Sequence, residues 1–338
     1  MNTTMLAKRS VRFGLTCAAA AALFIATFAI SMLLGAADTS WGDVWLALTT
    51  QQSGEKLSLI REIRLPREVA AIFVGAALAV SGAVMQGMTR NPLADPGLFG
   101  LMAGADAALA VTLALLPAAG YLAVTFVCFV GAAVGSLLVL GLSSLKRGGQ
   151  ASYRIVLAGA AVSAFLYALA DQIGIFFKIS KDVSLWTAGG MMGVSWQQLQ
   201  VIVPVVVLGI TVALIYARQL TMLSLSEEAA VGLGQRTRLI KTILFLVTVL
   251  LAGVSVALVG NLAFVGLMIP HIVRGVVGAD YRFVLPLCAV TGASFLLLAD
   301  TLARTINAPY ETPVTAIIAV LGLPFFLLIL RKGGSSTS

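Results

Sequence analysis

Apolar runs of about twenty residues, the length of a helix that crosses a bilayer, recur along the whole chain with only short polar segments between them. We read ten of them, at 14–35, 65–89, 98–116, 119–142, 155–177, 199–217, 239–259, 263–279, 283–303 and 312–330. In hydrocarbon every backbone N–H and C=O must be satisfied within the protein, so such runs are expected to fold as helices. The expected fold class is therefore all-α, a polytopic membrane protein of about ten transmembrane helices. The runs at 98–116 and 263–279 are short and glycine-rich and define that count least firmly. Composition agrees: 59% of residues are hydrophobic and 11% charged, where a soluble domain carries about a quarter charged.

Ten spans put both termini on one side. Placing them in the cytoplasm puts most of the 22 lysines and arginines in inner segments, as the positive-inside rule requires. The expectation is a multi-pass protein of the cell membrane, embedded in lipid, with both termini cytoplasmic. The outer exceptions crowd before the second span at Lys56, Arg61, Arg64 and Arg67. The net charge of +8 forms no stripe, which argues against nucleic acid. The basic head and long apolar run at the start also fit a signal peptide. The run exceeds a signal core, however, and 35–38 is a weak cleavage site, so a retained first helix is the reading.

Several chemistries find no support. Cys17, Cys128 and Cys288 lie in separate runs, there is no CxxC, and His271 is the single histidine, so neither a zinc site nor a disulfide framework is indicated. No GxxxxGK[ST], HExxH or Ser-His-Asp spacing is present. The chain is thus expected to be no enzyme and to need no cofactor.

The stretch from 64 to 100, RLPREVAAIFVGAALAVSGAVMQGMTRNPLADPGLFG, organises the rest. Gly75, Ala76, Ala79 and Gly82 let another helix approach closely, and Gly100/Gly104 and Gly131/Gly135 repeat that device in the next two spans. Gly75, Ala79, Gly82, Pro92, Gly97 and Gly100 recur at one fixed offset as Gly253, Ala257, Gly260, Pro270, Gly275 and Gly278, a pattern open to either an inverted repeat or chance. Trp41 and Trp45 suit a short interfacial helix over 40–50. Asp171, inside a span, faces either a water-filled path or a neighbouring helix. Asp300 and Arg304, four apart, can pair. His271 and Arg274 follow Pro270 in a broken span and suit a structural role. Ser226 before Glu227 and Glu228 signals a short capped helix, ended by Gly232 and Gly234.

RLPR, GAALAVSG, MQG and RNPLADP occur in order, followed by SLSEEAAVGLG (224–234), FVGLMIPHIVR (264–274) and ETPVTAIIAVLGLPFFLLIL (311–330). On these motifs, spread over nearly the whole chain, the sequence resembles the permease subunits of the ABC importers for ferric siderophores, haem and vitamin B12, the FecCD type. The resemblance implies a type II ABC importer permease fold over 1–338, with a cytoplasmic coupling segment at 218–238 and a disordered tail at 333–338. It implies three partners: a cytoplasmic ABC ATPase dimer, an extracytoplasmic substrate-binding protein and a second permease subunit. Ser226, Glu227, Glu228, Ala229, Ala230, Leu233 and Gly234 would form the coupling helix, a segment whose default reading is a surface hairpin. Arg64, Arg67 and Arg304 would receive acids of the binding protein, or else anchor lipid headgroups. Asp171, with Ser152 and Tyr153 at the inner gate, would line the path. The implied cargo is a ferric siderophore, with haem and vitamin B12 open. A rival class is a proton-driven transporter carrying protons on Asp106, Asp171 or Asp300.

Overall fold

A computed structural model describes residues 3–35, 39–52, 54–144, 151–188, 190–191, 193–308 and 310–333; side chains are described between 13 and 327, apart from 151–153. The first helix is α1 (Thr3–Leu33). The short α2 (Trp41–Thr49) follows, started by a capping box: the Asp43 amide donates to Ser40 Oγ at 3.2 Å and the Ser40 amide donates to the Asp43 carboxylate at 2.9 Å. Trp41 and Trp45 are exposed on it, as an interfacial helix requires. Next, α3 (Glu55–Leu59) passes through a π-turn (Ile60–Arg64) into α4 (Leu65–Thr89), with Pro66 in the first turn, where its missing N–H costs nothing.

The remaining elements are α5 (Leu101–Leu115), α6 (Tyr121–Ser144), α7 (Ala151–Phe176), α8 (Ser180–Thr187), α9 (Trp196–Ile215), α10 (Ala217–Leu225), α11 (Glu227–Gly232), α12 (Thr237–Val259), α13 (Val265–Val277), α14 (Tyr281–Thr305) and α15 (Val314–Gly333). Among the described residues, seven helices are long and apolar enough to cross a membrane, and three shorter apolar ones lie at Leu101–Leu115, Val265–Val277 and Val314–Leu327. These coincide with the ten runs read from the sequence, including the two short ones.

The centre of the bundle is α4. It is buried on nearly every side, which is why its apolar residues show no one-sided stripe. Its neighbours are α9, α12, α13 and α14. Glycine makes two of these contacts possible. Gly75 lies against the backbone of Gly292 in α14, and Gly82 against that of Gly266 in α13; a Cβ at either would collide with main chain. The Gly100/Gly104 and Gly131/Gly135 pairs close α5 on α6 in the same way.

A built turn ends α4. Arg90 adopts φ 52°, the Leu93 amide donates to Asn91 Oδ1 at 3.0 Å, the Gly97 amide donates to Asp95 Oδ1 at 2.8 Å, and Gly100 at φ 70° opens α5. At that offset the matched positions do not all play the same structural part, although Gly100 at φ 70° and Gly278 at φ 82° do share a left-handed sign of φ. Gly82 lies inside α4, whereas its counterpart Gly260 ends α12 at φ 76°; Pro92 sits in the turn, whereas Pro270 lies inside α13.

Candidate functional site

Three groups of residues have functional potential: the ends of α1, α4 and α14 on the face that the charge bias of the sequence assigns to the outside (the outer end), the hairpin of α10 and α11 on the opposite face (the inner end), and a cavity between them.

At the outer end, Arg67 grips Asp300 with two parallel bonds, Nε to Oδ2 at 2.9 Å and Nη2 to Oδ1 at 2.8 Å, while its Nη1 donates to Glu311 Oε1 at 2.8 Å. Arg304 donates from Nη2 to Glu68 Oε1 at 2.7 Å and to Ser31 Oγ at 2.9 Å, and its Nε lies 3.0 Å from Asp300 Oδ2. The Ser31 hydroxyl donates to Glu68 in turn. Arg64 donates from Nη1 to the Met32 carbonyl at 2.6 Å and to the Thr39 hydroxyl. The network thus joins α1, α4, α14 and the turn before α15. Bidentate charge-assisted bonds of this kind offset the large cost of burying charge.

Arg64 is 4% exposed and Arg67 and Arg304 are each 6% exposed, so in the single chain these guanidiniums are turned into the bundle and held there rather than displayed on its surface. The Asp300–Arg304 pair was foreseen from spacing; Glu68, Glu311 and Ser31 were not. Glu68, a carboxylate inside an apolar run, was itself a signal.

At the inner end, the Ala229 amide donates to Ser226 Oγ at 2.9 Å, which starts α11, and Gly234 at φ 78° ends the segment. Glu227 pairs with Lys241 at 2.6 Å across two half-exposed side chains. Glu228 and Ala229 are exposed, whereas Ala230 is fully buried against the bundle. Of the apolar residues beside them, the sequence reading named Leu233 but not Leu225 or Val231. Leu225 is 74% exposed, Val231 56% and Leu233 68%, bordered by the exposed Arg236 and Arg238. The hairpin is fastened to the bundle: the Tyr281 amide donates to Thr221 Oγ1 at 3.0 Å, and Arg274 donates to Tyr281 Oη at 3.3 Å and, at 2.5 Å, to Gln86 of α4. Hydrogen bonds from Arg282 hold the Asp280 carboxyl beside it below the usual carboxylate range.

Between the two ends, Asp171 is exposed on α7. Ser152 and Tyr153 fall in the first turn of α7, but their side chains lie outside the described residues, as does 145–150 of the inner loop. A cavity of about 360 Å³ has Asp106, Ser184, Thr187, Asn261 and Thr315 in its wall. Asn261 Nδ2 donates to Tyr167 Oη at 3.3 Å beside it.

Comparison with known proteins completes the picture. The family model of the FecCD transport family matches residues 23–332. The iron(3+)-hydroxamate import permease FhuB of Bacillus subtilis (strain 168) is 42% identical over 304 residues, 90% of this chain and 79% of that protein. The Fe(3+)-citrate import permease YfmD of the same organism is 42% identical over 311 residues, 92% of each chain. Among solved structures, one described as an inward-facing metal-chelate type ABC transporter superposes with a TM-score of 0.81 at 26% identity, covering 96% of this chain and 99% of that one.

Proposed function

The chain belongs to the FecCD transport family, and from that premise we propose that it carries a ferric siderophore inward across the cell membrane, powered by ATP hydrolysis in a separate subunit. One observation carries the mechanism: α10 and α11 expose Leu225, Val231 and Leu233 at the inner face while Thr221 ties them to the start of α14. An exposed apolar patch rimmed by polar residues is a docking surface. Here its occupant is the ATPase dimer.

When that dimer closes on ATP, the hairpin moves with it. The hydrogen-bonded series Thr221, Tyr281, Arg274 and Gln86 passes the displacement to α14, α13 and α4. The helices tilt, and cargo passes between two permease subunits along α7 and α15, whose outward apolar side chains (Phe165, Ile175, Val320 and Leu323) are uncovered in the single chain. Asp171 lines that path, and Ser152 and Tyr153 form its inner constriction. A loaded binding protein sits on the outer face, where the Arg64–Arg67–Arg304 network fixes the helix ends it meets rather than supplying free charge. Both termini are cytoplasmic.

The test is uptake of a radioactive iron(III) trishydroxamate into proteoliposomes holding this permease, its ATPase and its binding protein. We expect uptake that requires ATP and stops with Leu233→Glu. Uptake that runs without ATP and collapses with a protonophore would overturn this reading in favour of proton coupling.

A further inference from the structure

Asp106 differs from every other carboxylate in the helical core. Asp300 and Glu68 are held by arginines, yet no hydrogen bond or ion pair from the described residues reaches the Asp106 carboxyl, although it is only 8% exposed. It lies in α5 and faces the cavity of about 360 Å³. The opposite wall is firmly built. The Gly190 amide donates to the Val259 carbonyl at 3.0 Å, the Asn261 amide donates to the Thr187 carbonyl at 3.4 Å, and the Thr315 hydroxyl donates to the Ala188 carbonyl. So α8, the end of α12 and the start of α15 are fixed to one another around the space.

No lysine or arginine is among the lining residues. Asp171 of α7 lies within electrostatic reach and is a second carboxyl, so it brings no positive charge. A carboxyl so placed in a membrane span is costly to ionise until it meets positive charge. No cation lines the wall, so a positive group on what passes through is the partner that would let it ionise. The cavity is far larger than a bare ion and open on one side, so it fits part of a larger molecule. Charge arithmetic then sorts the ferric chelates. Three singly charged hydroxamates cancel the charge of iron(III), and an attached amine leaves the complex positive; catecholates or carboxylates leave it anionic.

We propose that the Asp106 cavity is a cargo-contact site that takes the ammonium arm of a cationic ferric hydroxamate and disfavours polyanionic chelates. This rests on the importer reading above and adds the charge class of its substrate.

Two chelates with one trishydroxamate core, one bearing a free ammonium and the other acetylated there, test it in the complete reconstituted importer. The readout is the ratio of their uptake rates, each normalised to the binding protein loaded with that chelate. The ratio is independent of how much permease is inserted. Removing the charge in Asp106→Asn or Asp106→Ala is expected to lower the cationic-to-neutral ratio by about tenfold, within the scale of one charge–charge contact across protein. Asp106→Glu is expected to keep it. A ratio unchanged in both neutral variants overturns the proposal while leaving the importer reading intact. Loss of both uptakes when sodium is replaced by choline would assign the site to a metal cation and overturn it as well. Failure of the wild type to import either chelate overturns both readings.

Discussion

The two faces of the bundle handle exposed chemistry in opposite ways. At the outer end, Arg64, Arg67 and Arg304 are withdrawn from solvent, and Glu68, Asp300 and Glu311 take up Arg67 and Arg304, so these two charges are paired within the chain. At the inner end, Leu225, Val231 and Leu233 are exposed in the single chain, and among the described residues the one ion pair of α11, Glu227 with Lys241, is half exposed. Charge is hidden where a sequence reader expects it on the surface, and apolar side chains are displayed where charge is expected. The outer end is a finished piece of internal structure, whereas on the proposed function the inner end is half of an interface. Mutations at the outer end should therefore act on the chain alone, and those at the inner end only on the assembled complex.

The largest effect on the chain is expected at the outer network. Arg67→Ala leaves Asp300 and Glu311 without their main partner, and Asp300→Ala leaves two arginines facing each other; unpairing a buried charge costs about 3–5 kcal/mol. Either should sharply lower the melting temperature in detergent and the yield of inserted protein. The double change Arg67→Met with Asp300→Leu should lose less than the sum of the two, because the pair is removed together. Strictly additive losses would show that the contacts do not act as a network.

Next come the glycine contacts of α4. Gly82→Leu drives a side chain into the Gly266 backbone and Gly292→Val drives one into Gly75, so main chain rather than a flexible side chain must move. Overpacking of this kind costs about 1–3 kcal/mol, with backbone collisions at the upper end. Gly232→Ala meets open space and should change melting little. A Gly82→Leu variant as stable as the parent would mean that α4 and α13 are less tightly opposed than their backbones indicate.

How much of this was legible follows from where each signal resides. The ten helices were readable because each is coded locally, by a run of apolar residues between polar turns. The α5–α6 contact was readable because Gly100/Gly104 and Gly131/Gly135 each carry their spacing within one helix. The cap at Ser226 was readable for the same reason. The outer network was not, because Arg67 and Asp300 are 233 positions apart and nothing in either neighbourhood names the other. Only the pair within one helix, Asp300 with Arg304, had a local spacing to disclose it. Of the inner apolar patch, Leu233 was named with the coupling segment, whereas Leu225 and Val231 were missed because they read as ordinary core residues; only the fold turns them outward. The fixed-offset pattern alone did not disclose what each residue does, because matched glycines such as Gly82 and Gly260 do different work, packing in α4 and ending a helix in α12.

A smaller effect is expected at the start of α11. Ser226→Ala removes the acceptor for the Ala229 amide, a loss of about 1 kcal/mol for a helix cap. Because α11 is short and peripheral, this should appear as faster amide exchange at Ala229 and Ala230 with little change in melting. Exchange that stays slow would mean that packing of the buried Ala230, rather than the cap, holds the helix.

The smallest effect on the chain, and the sharpest test of the contrast between the faces, is expected from Leu233→Glu with Val231→Asp. Both side chains are exposed, so substitution should shift stability by no more than about 0.5 kcal/mol. It should also leave detergent melting and insertion unchanged. If the inner hairpin is half of an interface, the same variant should lose co-purification of the ATPase, because two charges would be buried in contact with an apolar surface that offers them no partner. Arg67→Ala should do the reverse: whatever fraction inserts should still retain the ATPase. A Leu233→Glu, Val231→Asp protein that keeps its ATPase would move docking elsewhere on the inner face. One that loses both ATPase and stability would mean the two faces differ less than their burial implies, with the hairpin supporting the bundle as the outer network does.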